Sequence, residues 1–154
     1  MKRLFKPLFL ALALVFGGVT IATPAWAGKA PVYTAKKNNL AVSGYDAVSY
    51  FSGTPVKGSA DYTYSHNGAD WQFSSQANLD AFKANPDAFA PQYGGYCAWA
   101  AAKGKLAKGD AKQWKVVDGK LYLNYSAGVK RKWEKDIPGF IEKADDNWPS
   151  LLDK

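Results

Sequence analysis

Two side chains in this sequence have the chemistry to engage a soft centre or attack an electrophile. Cys97 is the only cysteine, His66 the only histidine, and the single methionine is Met1. A thiolate is both a nucleophile and a soft ligand, so Cys97 is the candidate catalytic residue. Cys97 and His66 together are the candidate metal ligands, because Cu(I) and other soft metals take thiolate or imidazole. Structural zinc normally needs four such ligands, which one copy of this chain does not supply. The alternatives are a two-ligand site or one shared across a dimer. Cys97 follows Tyr93-Gly94-Gly95-Tyr96. Adjacent glycines allow unusual backbone angles and close approach of another group, and the flanking tyrosines could line a ligand pocket. Tyr45, Asp46, His66, Tyr93, Gly94, Gly95 and Tyr96 are therefore the candidate binding residues. Asp46, His66 or Tyr45 could act as base or donor if the fold brings them to the sulfur. Motifs of serine, zinc and carboxylate hydrolases are lacking, as is a phosphate-cradling glycine loop.

The start of the chain bears on what a lone cysteine means. Lys2, Arg3 and Lys6 precede an apolar run from about Leu8 to Ile21, and Pro24-Ala25-Trp26-Ala27 ends it in a small-x-small pattern. That is the layout of a secretory signal over residues 1–27, cut after Ala27. It predicts a periplasmic or secreted protein with no stable membrane insertion after cleavage. Exported cysteines usually pair. An unpaired one is buried, reactive, metal-bound or joined to another molecule. The formal charge is +7, and removing Lys2, Arg3 and Lys6 lowers it to +4. The basic run Lys130-Arg131-Lys132 is followed by Glu134 and Asp136. It reads as a solvated helix face, and no nucleic-acid partner is expected.

The elements that must position these residues are short. Residues 28–39 are polar and aperiodic and read as a flexible lead-in. Asp46 can cap a short helix through Val48, Tyr50 and Phe51. Tyr62, Tyr64 and His66 alternate along a strand, Asn67-Gly68 is a hairpin turn, and Trp71 and Phe73 return together. Ser74 or Ser75 caps a helix carrying Leu79 and Phe82, and Pro86 starts another. Tyr96 to Lys103 reads as a helix with Cys97 in its first turn. Free amide N–H groups and the helix dipole there would lower the thiol below its free value of ~8.5. A second hairpin turns at Asp118-Gly119. Ser126 caps the next helix, Pro138 starts the last, and residues 150–154 form a tail. No internal repeat is evident. The expected fold is a small single α+β domain with two short antiparallel hairpins and several short helices.

The stretch from Tyr64 through Asn67-Gly68, Trp71, Phe73 and Ser74-Ser75, then Phe82, Asn85-Pro86 and Phe89, resembles the YHS domain. Further blocks are similar to exported bacterial YHS-domain proteins: Gly44-Tyr45-Asp46-Ala47, Pro91 to Ala98, Trp114 to Tyr125, and Asp136-Ile137-Pro138-Gly139. The resemblance spans about residues 40–149. It implies a YHS-type domain in which metal-handling members carry cysteines where this chain has Ser74 and Asn78. It also implies that Cys97 stands where some exported members have selenocysteine, which favours chemistry at the chalcogen. His66 occupies a position that varies in that subgroup, and Ala47 and Ala111 replace prolines.

The sequence thus points to an exported binding module centred on Cys97. Its ligand is a small molecule or a soft metal, with copper the first candidate cofactor, and a redox partner protein is also possible. One alternative is a thiol-redox protein or enzyme using Cys97. Another is an interaction domain in which Cys97 is an inert core residue, as free cysteines often are.

Overall fold

The computed structural model describes residues 28–154, and the export segment expected at residues 1–27 lies outside them. The chain forms two antiparallel hairpins, each followed by helices. β1 (Ser59–His66) pairs with β2 (Ala69–Phe73), and β3 (Asp110–Val117) pairs with β4 (Lys120–Asn124). Both turns place two residues in left-handed backbone, Asn67-Gly68 and Asp118-Gly119. This matches the twist of the flanking strands. After the first hairpin come α1 (Gln76–Ala84) and α2 (Pro86–Phe89). α3 (Ala98–Ala102) precedes the second hairpin, and α4 (Ala127–Trp133) and α5 (Ile137–Asn147) follow it. The α+β expectation is correct, Ser75 and Ser126 cap their helices as expected, and Asp136 is a further cap. Ser75 Oγ accepts from Asn78 N, Ser126 Oγ from Val129 N, and Asp136 Oδ1 from Gly139 N.

The absence of a repeat was the wrong expectation. Residues from about Ala41 to Phe89 recur at a constant spacing of 51 residues, Val42 to Tyr93 being one example. Every described residue with positive φ has a mate at that spacing: Val42 and Tyr93, Ser43 and Gly94, Gly44 and Gly95, Gly53 and Gly104, Asn67 and Asp118, Gly68 and Gly119. The strand bounds repeat, as does the irregularity in each ladder, between Ser59 and Thr63 and between Asp110 and Trp114. Tyr45 bridges Lys57 and Tyr96 bridges Lys108. Asp46 N donates to Val56 O at 2.9 Å, and Cys97 N donates to Ala107 O at 2.9 Å. The repeat escapes the sequence because identity survives mainly at backbone-critical positions such as Gly44/Gly95, Gly58/Gly109 and Ser75/Ser126. The core pairs have changed, Trp71 to Tyr122 and Phe82 to Trp133, with all four buried.

The lead-in is not a loose segment. Val32 is 6% exposed and belongs to the first core. Tyr33 N donates to Gly94 O at 2.9 Å, Thr34 bridges Ala41, and Lys29 N donates to Leu152 O at 2.7 Å. Edge backbone groups of both halves need partners, and this polar stretch supplies them. The expected tail likewise carries a 3-10 turn, Ser150–Asp153, with Leu151 buried in the second core. Among the described residues, no helix is long and apolar enough to cross a membrane.

Candidate functional site

Asp46 and Cys97 occupy the same place in the two halves, and their surroundings explain each other. Asp46 is fully buried. A carboxylate tolerates that only when its oxygens are hydrogen-bonded, and here they are. Oδ1 accepts from Val48 N at 2.9 Å and Ser49 N at 3.3 Å. Oδ2 accepts from Ser74 N at 2.9 Å, Ser74 Oγ at 2.7 Å and Asn78 Nδ2 at 2.7 Å. The expected cap is correct, and Asp46 also ties the first segment to the end of β2 and the start of α1. Ser74 and Asn78, which the resemblance singles out, are the side chains that reach it.

Cys97 is 1% exposed and free. It does not lie inside a helical turn: α3 begins one residue later and Cys97 precedes it with extended backbone. Its thiol donates to Asn124 Oδ1 at 3.7 Å. The backbone N–H groups of Ala100, Tyr125 and Trp99 face the sulfur. Burial pushes the thiol up, and those three N–H groups pull it back down without cancelling the rise. The expected lowering of the thiol is therefore corrected. The donors are present, but removal from water outweighs them. At neutral pH the resting group is the S–H form.

Asn124 is the residue that sequence reasoning missed. It is fully buried, and its Oδ1 also accepts from Trp99 N at 3.3 Å. Among the described residues, its Nδ2 has no hydrogen-bond partner. Its mate in the first half is Phe73, so a polar side chain has replaced an aromatic one beside the sulfur. The alternation Leu121, Tyr122, Leu123, Asn124 gave no warning, since an asparagine at a strand end ordinarily faces solvent.

The remaining candidate residues stand elsewhere. His66 ends β1, with its ring stacked on Tyr64 at 6.1 Å and edge-on to Phe82 at 5.9 Å. It lines a cavity of about 370 Å³ with Trp71, Asp87, Pro91, Gly94 and Trp148. Gly94 is thus the one other candidate residue found beside His66. Tyr93 is buried and its hydroxyl donates to Asp145 Oδ1 at 2.8 Å. Burial first, then that hydrogen bond, pushes its phenol far up. Tyr96 Oη donates to Ala30 O at 2.9 Å and its ring meets Tyr33 edge-on. Tyr45 carries Lys57 Nζ 4.3 Å above its ring. Gly95 lies against Pro91, with its carbonyl packed on Gly109. Cys97 and His66 share neither this cavity nor a hydrogen-bond partner.

A resident soft-metal site does not fit these residues. Ser74 and Asn78, at the positions where the resemblance implies thiols in metal-handling members, are committed to Asp46. Among the described residues, no three His, Cys, Asp or Glu side chains converge. What the arrangement offers is one sulfur in a polar, water-excluded cradle, where the charged form is stabilised by backbone donors once it appears.

Comparison with known proteins agrees with part of the resemblance. No curated protein matches the chain, and no solved structure does. Residues 47–93 fit the family model of the YHS domain, a segment that begins just after Asp46 and contains the residues that donate to it.

Proposed function

We propose that this protein is an exported binding module of YHS type whose working group is the Cys97 thiol. The observation that carries the reading is the convergence of the Trp99, Ala100 and Tyr125 N–H groups and the Asn124 side-chain oxygen about one sulfur, with Trp99 N donating to that oxygen. A cysteine serving only as a small apolar filler has no use for a buried asparagine beside it, since an unpaired buried amide costs about 1–3 kcal/mol. Export rests on the signal-like residues 1–27. The ligand is a small molecule with a soft or electrophilic centre, because the cradle excludes bulk. Thiol redox chemistry is the second reading, and it is favoured by the same donors, which stabilise a charged sulfur. The test is iodoacetamide labelling of the folded protein across pH 7–10.5, read by intact mass. Labelling faster than global unfolding, rising with pH past about 9 and abolished in Cys97→Ser, is expected. Labelling only at the unfolding rate would make Cys97 an inert core residue and overturn the reading.

A further inference from the structure

We propose that Cys97 is a site of stable oxidation to the sulfinate, its pocket being the sulfur counterpart of the one that holds the Asp46 carboxylate. The proposal rests on Cys97 being the working group and adds the chemistry it undergoes. The repeat supplies the first argument. Val48, Ser49 and Ser74 present their N–H groups to the Asp46 oxygens. Their mates at the 51-residue spacing are Trp99, Ala100 and Tyr125, whose N–H groups face Cys97. Backbone donors do not depend on side-chain identity, so the second pocket keeps the anion-binding frame of the first. The thiol stands where the carboxylate stood, and Trp99 N donates to Asn124 Oδ1 at 3.3 Å instead. A thiol fills that frame poorly. A cysteine sulfinate carries two oxygens and one negative charge on the atom next to Cβ, as an aspartate does.

Asn124 supplies the second, independent argument. In the first half the second oxygen of Asp46 is served by Ser74 Oγ and Asn78 Nδ2. Their mates are Tyr125 and Val129, which offer no equivalent donor. Asn124 stands in the place of Phe73 instead, fully buried, with its Oδ1 on the sulfur and its Nδ2 without a partner among the described residues. Turned over about its Cβ–Cγ bond, that amide presents Nδ2 to a second oxygen and frees Trp99 N, which in the thiol form donates to Oδ1.

The oxidant is a hydroperoxide, small enough for a shielded site. In the first step a sulfur lone pair of the thiolate attacks one peroxide oxygen. An S–O bond forms and the O–O bond breaks. Sulfur is oxidised by two electrons, and the leaving oxygen departs as hydroxide, giving the sulfenic acid. A second peroxide repeats the exchange on the sulfenate, giving sulfinate and water. With one cysteine in the chain, no internal thiol diverts the sulfenate into a disulfide. A third oxygen has no counterpart in the Asp46 pocket, so oxidation stops at two.

The experiment treats the purified protein with hydrogen peroxide and follows intact mass, the Cys97 peptide and melting temperature. Expected are a plateau at a gain of about 32 Da that dithiothreitol does not reverse, and a melting temperature higher by about 3 °C or more. Cys97→Asp should melt above Cys97→Ala by a similar margin, and Asn124→Ala should lose the gain on oxidation. A reversible one-oxygen product, progress to three oxygens, or a fall in melting temperature on oxidation would overturn the proposal. Cys97→Asp melting below Cys97→Ala would do so even if Asn124→Ala fails to fold. Native Cys97 that alkylates readily yet gives no sulfinate refutes only this step. Native Cys97 inert to both reagents refutes the working-group reading with it.

Discussion

At the scale of single residues, the two buried groups answer to different balances. Asp46 is held by five hydrogen bonds from two segments, so replacing it leaves donors stranded as well as a charge removed. Asp46→Asn keeps the shape but turns one oxygen into a donor facing the donors of Ser74 and Asn78. A loss of about 2–4 kcal/mol is expected, read from urea unfolding, and a change under 0.5 kcal/mol would show that the network is not holding the fold. Cys97 and the buried tyrosines set the alkaline limit. Burial raises Cys97, Tyr50 and Tyr93 above their ordinary values. For an acid that is neutral when protonated, a raised folded value favours the folded state below the unfolded value, about 8.5 for Cys and about 10 for Tyr. That contribution is lost as pH rises through the folded value. Melting temperature should hold from pH 7 to about 8.5 and then decline, with a second, steeper decline above about 10 from the tyrosines. Cys97→Ala should remove the first decline and leave the second. Superimposable profiles for the two proteins would contradict the raised thiol.

At the scale of elements, the sequence discloses whatever is fixed by local backbone chemistry. Asn67-Gly68 and Asp118-Gly119 announce both hairpins, and Ser75, Ser126 and Pro138 announce their helices. What is set by distant partners stays hidden. Asp46 is legible as a cap, but its bonds to Ser74 and Asn78 cross about thirty positions of chain. Cys97 is legible as the one thiol, but its cradle depends on Asn124 and Tyr125 at the end of the second hairpin. The lead-in over residues 28–39 looks unstructured because its order comes from docking. Gly94 shows how tight that docking is. It has positive φ, and a Cβ there would stand 1.8 Å from Pro31 O. Gly68 also has positive φ but opens onto free space. Gly68→Ala should therefore cost only the left-handed penalty, about 1–2 kcal/mol. Gly94→Ala should cost more and also release the Pro31–Thr34 segment, visible as protease sensitivity and faster amide exchange at Tyr33. Equal costs at the two glycines would mean that the segment does not press on Gly94.

At the scale of the whole molecule, the question is whether two repeats make two folding units. The cores say that they do not. The first core takes Ala111, Leu121 and Leu123 from the second hairpin, while Tyr122, between them, belongs to the second core. β4 is therefore buried on both faces. Its counterpart β2 alternates instead, with Ala69, Trp71 and Phe73 buried and Asp70 and Gln72 partly exposed. Leu121 stands at the position of Asp70, so the repeats have diverged at the wall they share. Tyr50 Oη reinforces the join by donating to Ala111 O at 2.7 Å. Leu121→Ala should destabilise the protein by about 2–5 kcal/mol, although the side chain belongs by sequence to the second repeat. Because the wall is common, amide-exchange protection should fall together in α1 and β2 of the first half and in α4 of the second, with one calorimetric transition throughout. Protection lost only in the second half, or a scan that splits into two transitions, would mean that each repeat folds on its own. In that case the Asp46 and Cys97 pockets would no longer be coupled through one core.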